Sequence, residues 1–200
     1  KLSITYPLSE LVVGLLFIGI WQYVSGFCTD TVSCMSYSTL FIAILTCSLA
    51  LFLIDFMTYL VPTVLVLYAL IATLILKGSF FVFSATPPTV DVSLVSSVGS
   101  ALVLSICFYL LTRSFGGRGM GRGDVELVFF IGFLLGFPWA FMAIYIAFLT
   151  GGMMATILVV TGGKRFGEKL AFGPYLIFGQ LVILFFGTEI FSYIATFFGY

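Results

Sequence analysis

Long apolar runs are the feature that most constrains the fold of this chain. The 200 residues are 62% hydrophobic and only 8% charged, whereas an average soluble domain is about 25% charged. A helix of about 20 apolar residues crosses the hydrocarbon core of a bilayer. Too few polar residues remain to cover the surface of a soluble protein of this size. The sequence therefore predicts an all-α, polytopic membrane protein.

We predict about seven transmembrane spans, at residues 8–25, 39–55, 61–77, 94–112, 124–137, 139–161 and 170–187. Only Pro138 separates the fifth span from the sixth, so a single kinked helix, and hence six spans, is the alternative. No polar segment is long enough to fold alone. We therefore expect residues 1–200 to form one transmembrane helix bundle.

The positions of the cations predict the orientation of this bundle. If the N-terminus lies inside, the inner loops hold seven of the eight lysines and arginines, leaving Lys77 outside; the seven are Lys1, Arg113, Arg118, Arg122, Lys164, Arg165 and Lys169. This bias matches the positive-inside rule. We expect a multi-pass protein of the cell inner membrane with a cytoplasmic N-terminus. The formal net charge of zero gives no support for a nucleic-acid partner.

Two aspartates lie at the ends of predicted spans, and this topology places both on the cytoplasmic side. Asp55 ends the apolar run 39–54, and Asp124 opens the run that follows the glycine-rich segment 116–123. A carboxylate at membrane depth is costly and usually faces a bundle interior or a water-filled cavity. Two neighbouring carboxylates share a proton, so one can activate water while the other polarises a carbonyl. Taken singly, Asp124 also suits a helix N-cap and Asp55 an interfacial position.

Three residues near this pair are candidates for shaping the site. Gly121 and Gly123 permit close backbone approaches, so an extended substrate could lie beside Asp124. Glu10 follows a proline at the start of the first span, where a carboxylate suits the helix dipole. The alternative for Glu10 is a functional pairing with Arg122 or with a basic segment of a substrate.

The four cysteines give little support for a metal site. Cys28 and Cys34 share the predicted outer loop, where a disulfide could form. The sequence alone does not decide whether it does. Zinc would need further cysteine or histidine ligands, and the chain contains no histidine. Cys47 and Cys107 lie within spans and suit small apolar positions. We expect no metal and no cofactor.

Four landmarks in order along the chain resemble those of the type IV prepilin peptidases. They are the Tyr-Pro opening of segment 6–17, the segment 54–62 with an aspartate seven residues before a proline, the G-x-G-D string 121–124, and the Phe-Gly-Pro-Tyr string 172–175. A lone G-x-G-D string would be weak evidence. Four ordered landmarks that cover most of residues 1–187 are much more specific.

The resemblance implies an aspartic endopeptidase at the cytoplasmic membrane face. Such enzymes remove a basic leader from prepilins or pseudopilins by cutting after a glycine that precedes a hydrophobic helix. The resemblance assigns the catalytic roles to Asp55 and Asp124, with Pro62 among the residues that shape the site. It also implies prepilin-like membrane proteins as substrates and membrane lipid as the surroundings, and it leaves the oligomeric state unknown.

Several departures from the family pattern leave alternatives open. Thr63 stands where many relatives have another aspartate, and Glu126 stands where the usual residue is lysine. Bifunctional relatives carry an N-terminal zinc region and methylate the new N-terminus, and nothing in this chain supports that activity. The alternatives are a short archaeal preflagellin peptidase and, from a different class, a proton-coupled transporter that uses the intramembrane aspartates.

Overall fold

The protein is a bundle of α-helices. The computed structural model describes residues 5–28, 30–84, 86–114, 121–162 and 171–197, with side chains from residue 13 onward. Within these ranges the chain forms seven helices and no strand; the helices are α1 Thr5–Ser25, α2 Thr31–Thr58, α3 Thr63–Phe83, α4 Leu94–Ser114, α5 Arg122–Leu135, α6 Trp139–Val160 and α7 Gly173–Phe197. The predicted all-α architecture is confirmed.

The helices differ in their capacity to cross a membrane. Five of them, α2, α3, α4, α6 and α7, are long and apolar enough to span a bilayer. The apolar part of α1 with described side chains, Val13–Ser25, is shorter, and α5 has only 14 residues. A 14-residue helix rises about 21 Å, against a hydrocarbon core of about 30 Å. The two ends of α5 therefore cannot both reach the surface of the bilayer.

Several helix boundaries differ from the apolar runs in the sequence. α2 begins at Thr31 and α7 continues to Phe197, because helical hydrogen bonding extends through polar residues that hydropathy excludes. α5 and α6 are separate helices, so the single kinked helix is excluded. The chain turns between them at Gly136, with φ of 72°, and at the cis peptide bond Phe137–Pro138.

Lys77, predicted as the outer end of the span 61–77, lies inside a longer helix. Residues 78–83 extend α3 beyond it, and the lysine is buried within that helix. Its Nζ donates a hydrogen bond to the carbonyl oxygen of Asp91 and lies 5.8 Å from the ring centroid of Phe133. The amide of Asp91 donates to the carbonyl oxygen of Leu135 at 2.9 Å. A buried cation thus joins α3, the segment before α4 and the end of α5.

The short helix α5 lies at the centre of the bundle. It packs against α3, α4, α6 and α7, and most of its apolar side chains are fully buried. Gly132 permits the close approach of α4, since a Cβ atom there would lie 2.6 Å from the Cα atom of Ala101. Small residues at helix contacts allow such packing inside a membrane. This central position brings Asp124, near the start of α5, into the interior.

A disulfide closes the end of the bundle opposite Asp55. Cys28 and Cys34 are bonded and join the end of α1 to the start of α2, with Cα atoms 5.4 Å apart. The sequence alone did not decide whether this disulfide forms. Nearby, the hydroxyl groups of Tyr23 and Thr89 lie 2.9 Å apart. Covalent and polar links therefore hold this end of the bundle together.

Candidate active site

Asp55 lies in the last turn of α2, just before the helix ends and the chain changes direction. Its side chain is only 4% exposed. Tyr59 follows in the left-handed conformation, with φ of 57°, and its amide donates to the carbonyl oxygen of Asp55 at 2.9 Å. This turn leads directly to Pro62, the N-cap of α3. Asp55 therefore lies at the end of a helix and yet is buried in the bundle.

Asp124 is the third residue of α5 and is 7% exposed. Its Oδ2 accepts a hydrogen bond from the amide of Gly121, the N-cap residue, at 2.9 Å. This is the carboxylate half of a capping box rather than the N-cap role considered from the sequence. A carboxylate in the first turn also interacts favourably with the helix dipole. The start of α5 therefore fixes the orientation of this side chain.

The fold brings the two aspartates together. Asp55 and Asp124 are close enough for their charges to interact. The start of α7 lies against this site, because a Cβ atom on Gly173 would collide with Oδ2 of Asp55. A Cβ atom on Gly173 would also lie 3.1 Å from Cδ1 of Leu127, one turn after Asp124. The end of α2 and the starts of α5 and α7 thus converge on one site.

One carboxylate oxygen in this site is unsatisfied. Oδ2 of Asp55 is buried and has no hydrogen-bond partner within the described ranges. An unpaired buried polar atom is costly, and in a native protein it calls for an explanation such as a catalytic role or a bound water. Two carboxylates this close favour a shared proton over two charges. The arrangement suits a reaction in which one group activates water and the other polarises a carbonyl.

The structure gives the predicted glycines different surroundings. A Cβ atom on Gly123 would lie 2.5 Å from the Cβ atom of Val61, whereas one on Gly121 would make an ordinary contact at 3.8 Å with Oδ2 of Asp124. Gly123 therefore leaves room for the chain between α2 and α3, just before Pro62. The contact of these residues with a substrate stays a prediction.

Glu10 and Glu126 are two other acidic residues that the sequence singles out. Glu10 belongs to α1, but its side chain lies outside the part that the structure describes. Glu126 comes two residues after Asp124, so its side chain leaves α5 on a different side. Its Oε2 is buried and has no hydrogen-bond partner in the described ranges. Within those ranges no cluster of three or more His, Cys, Asp or Glu residues could hold a metal.

Gly173 is the site residue that sequence reasoning missed. The string 172–175 served there only as a landmark of the family resemblance. A glycine followed by a proline at the start of a helix is a weak signal, because proline is common in the first turn of any helix. Only the packing of α7 against α2 reveals why this residue has no side chain.

Known proteins match this chain over most of its length. Residues 42–156, which include Asp55 and Asp124, match the type IV leader peptidase family. The prepilin leader peptidase/N-methyltransferase of Neisseria gonorrhoeae is 34% identical over 180 residues, which are 88% of this chain and 56% of that protein. The protein of the same name from Pseudomonas putida is 28% identical over 194 residues, or 96% of this chain and 62% of its own.

Other matches are shorter. The prepilin leader peptidase/N-methyltransferase of Burkholderia pseudomallei strain 1026b is 31% identical over 96 residues, which are 48% of this chain and 31% of the relative. The chain thus spans between about a third and two thirds of the length of these relatives. No solved structure matches it. The family match covers more than half of the chain and agrees with the ordered motifs, so the chain belongs to the type IV leader peptidase family.

Proposed function

We propose that this chain is an aspartic endopeptidase that removes leader peptides from prepilin-like membrane proteins, with Asp55 and Asp124 as its catalytic pair. The observation that carries the proposal is the convergence of these buried carboxylates from α2 and α5. The activity named for the relatives supports the substrate class. Oδ2 of Asp55 has no hydrogen-bond partner within the described part of the chain, which supports a role for that atom in binding water or substrate.

In this proposal the two carboxyl groups divide the acid and base roles. The ionised group accepts a proton from water as the water attacks the scissile carbonyl carbon. The protonated group donates to the carbonyl oxygen, and a proton then passes to the leaving amine nitrogen. The amide of Gly121 binds the Asp124 carboxylate, and Gly173 lies directly against the Asp55 carboxylate. Both groups are thereby oriented before a substrate arrives.

We further propose that the site faces the cytoplasm. Disulfides persist mainly in oxidising compartments outside the cytosol, and the bond between Cys28 and Cys34 lies at the other end of α2 from Asp55. The bias of the cations in the sequence supports the same orientation. A leader that remains on the cytoplasmic side of a membrane substrate would meet the pair at this face.

Incubation of the purified protein in detergent with a full-length prepilin tests the proposal. Mass spectrometry should detect the released leader and one new N-terminus. Cleavage should persist in the presence of EDTA, because the proposed mechanism uses no metal. An intact prepilin after prolonged incubation with folded protein would contradict the proposal. Proton flux through reconstituted vesicles without cleavage would favour a transporter instead.

A further inference from the structure

A lipid-facing groove lies beside Asp55. It has a volume of about 610 Å³ and is formed by α2, α6 and α7. We refer to it as the α2–α6–α7 groove; its walls include Phe52, Phe56, Met154, Leu158, Tyr175 and Phe178. α7 packs against both α2 and α6 and so forms the floor between them.

The lining of this groove suits an apolar occupant. No charged side chain is among the described residues that line it. The hydroxyl of Thr150 is already used, since it donates to the carbonyl oxygen of Ile146 at 2.8 Å. Met153 and Met154 contribute flexible thioether side chains, which adapt to differently shaped apolar partners. Most of the lining is therefore apolar, and a charged ligand would find no opposite charge among the described lining residues.

Sequence neighbours of Asp55 and of Gly173 line part of the groove. Phe56 and Tyr59 line it and follow Asp55 by one and four residues. Pro174 also lines it and directly follows Gly173, which lies against the Asp55 carboxylate. Along α2 the lining runs from Phe52 to Tyr59, about 10 Å at 1.5 Å per residue. The groove can therefore accept about two helical turns that end at the site.

A second groove shows that size alone does not identify a docking site. It lies between α1 and α7, and its volume is also about 610 Å³. Leu16 lines it, but so do the polar residues Gln22 and Glu189. None of its lining residues adjoins Asp55, Asp124 or Gly173. It is a comparator of equal size whose lining includes a charged residue, Glu189, and no neighbour of the site residues.

We infer that the α2–α6–α7 groove binds the apolar transmembrane helix of the substrate and presents the adjoining peptide bond to Asp55. This inference rests on the proposed function. An apolar helix in a groove is recognised through side chains at positions i, i+3, i+4 and i+7. Two turns match the extent of the lining along α2. The groove thus selects substrates by the face of the helix that follows the cleaved bond.

Matched substitutions in the two grooves test this inference kinetically. Leu158 and Leu16 are both partly exposed leucines; they line the α2–α6–α7 groove and the comparator groove, respectively. With a full-length prepilin that the wild-type protein cleaves, Leu158→Trp should raise KM about tenfold with kcat unchanged, because the helix contributes uniform binding. Leu16→Trp should change neither constant. Equal KM values for the two variants would overturn the inference.

Photo-crosslinking gives a second, binding readout. A photo-crosslinking amino acid is placed at position 158 or position 16 in an Asp124→Asn background and irradiated with the same prepilin in lipid nanodiscs. Position 158 should yield a prepilin adduct and position 16 should not. Adducts with lipid alone at position 158 would overturn the inference even if the wild-type protein cleaves. Absence of cleavage by the wild-type protein would remove the proposed function and this inference with it.

Discussion

Gly173 lies directly against the carboxylate of Asp55. A Cβ atom at Gly173 would collide with Oδ2 of Asp55. The glycine at the start of α7 therefore leaves the space that the Asp55 carboxylate occupies. The geometry of the aspartate pair depends on a residue that belongs to neither aspartate motif.

We predict that Gly173→Ala lowers kcat for prepilin cleavage about a hundredfold. The added methyl group must displace Asp55, and a displacement of about 1 Å in an active site can have an effect of that size. The matched control is Gly152→Ala in α6, where a Cβ atom would have nothing within 4 Å. Initial rates of leader release, measured on folded protein, compare the two. A Gly173→Ala enzyme with more than half of the wild-type rate would show that the contact is not needed.

A second prediction concerns the glycine next to Asp124. Gly123→Ala should lower activity at least tenfold, because its Cβ atom would lie 2.5 Å from the Cβ atom of Val61 and would push the start of α5 away. Adding Val61→Gly to this variant removes the obstructing side chain and should restore part of the activity. Gly99→Ala, with nothing within 4 Å of its Cβ position, should resemble the wild type. Failure of the double variant to recover would mean that Gly123 has another role.

The sequence was sufficient to predict the helical bundle, whereas the catalytic role of the two aspartates stays a prediction. Hydropathy identifies helices that contact lipid, and the charge bias and the ordered motifs placed Asp55 and Asp124 at one end. The role of Gly173 could not be predicted, because it depends on how α7 packs against α2. The burial of Lys77 was missed for a related reason: its partners, the Asp91 carbonyl and the Phe133 ring, are distant in sequence.

A third prediction concerns the orientation of the bundle. In a variant without the native cysteines, Asp30→Cys and Thr86→Cys should react with an impermeant thiol reagent added to intact cells, since both positions lie at the end of the bundle with the native disulfide and are exposed. Arg122→Cys, exposed at the start of α5, should react only after the membrane is permeabilised. Labelling of position 122 in intact cells would invert the orientation and place the aspartate pair outside.

The proposed mechanism requires Asp55 and Asp124 to act as one catalytic unit. The most direct test is the rate of prepilin cleavage by Asp55→Asn, Asp124→Asn and the double variant, each checked for helical content by circular dichroism. Each single substitution should lower kcat at least about a hundredfold, which is the lower end of the rate effect expected when a general acid or base is lost. The double variant should be no slower than the slower single one, because the pair works as a unit. A folded single variant that keeps more than about a tenth of the wild-type kcat, far above that range, would contradict the account.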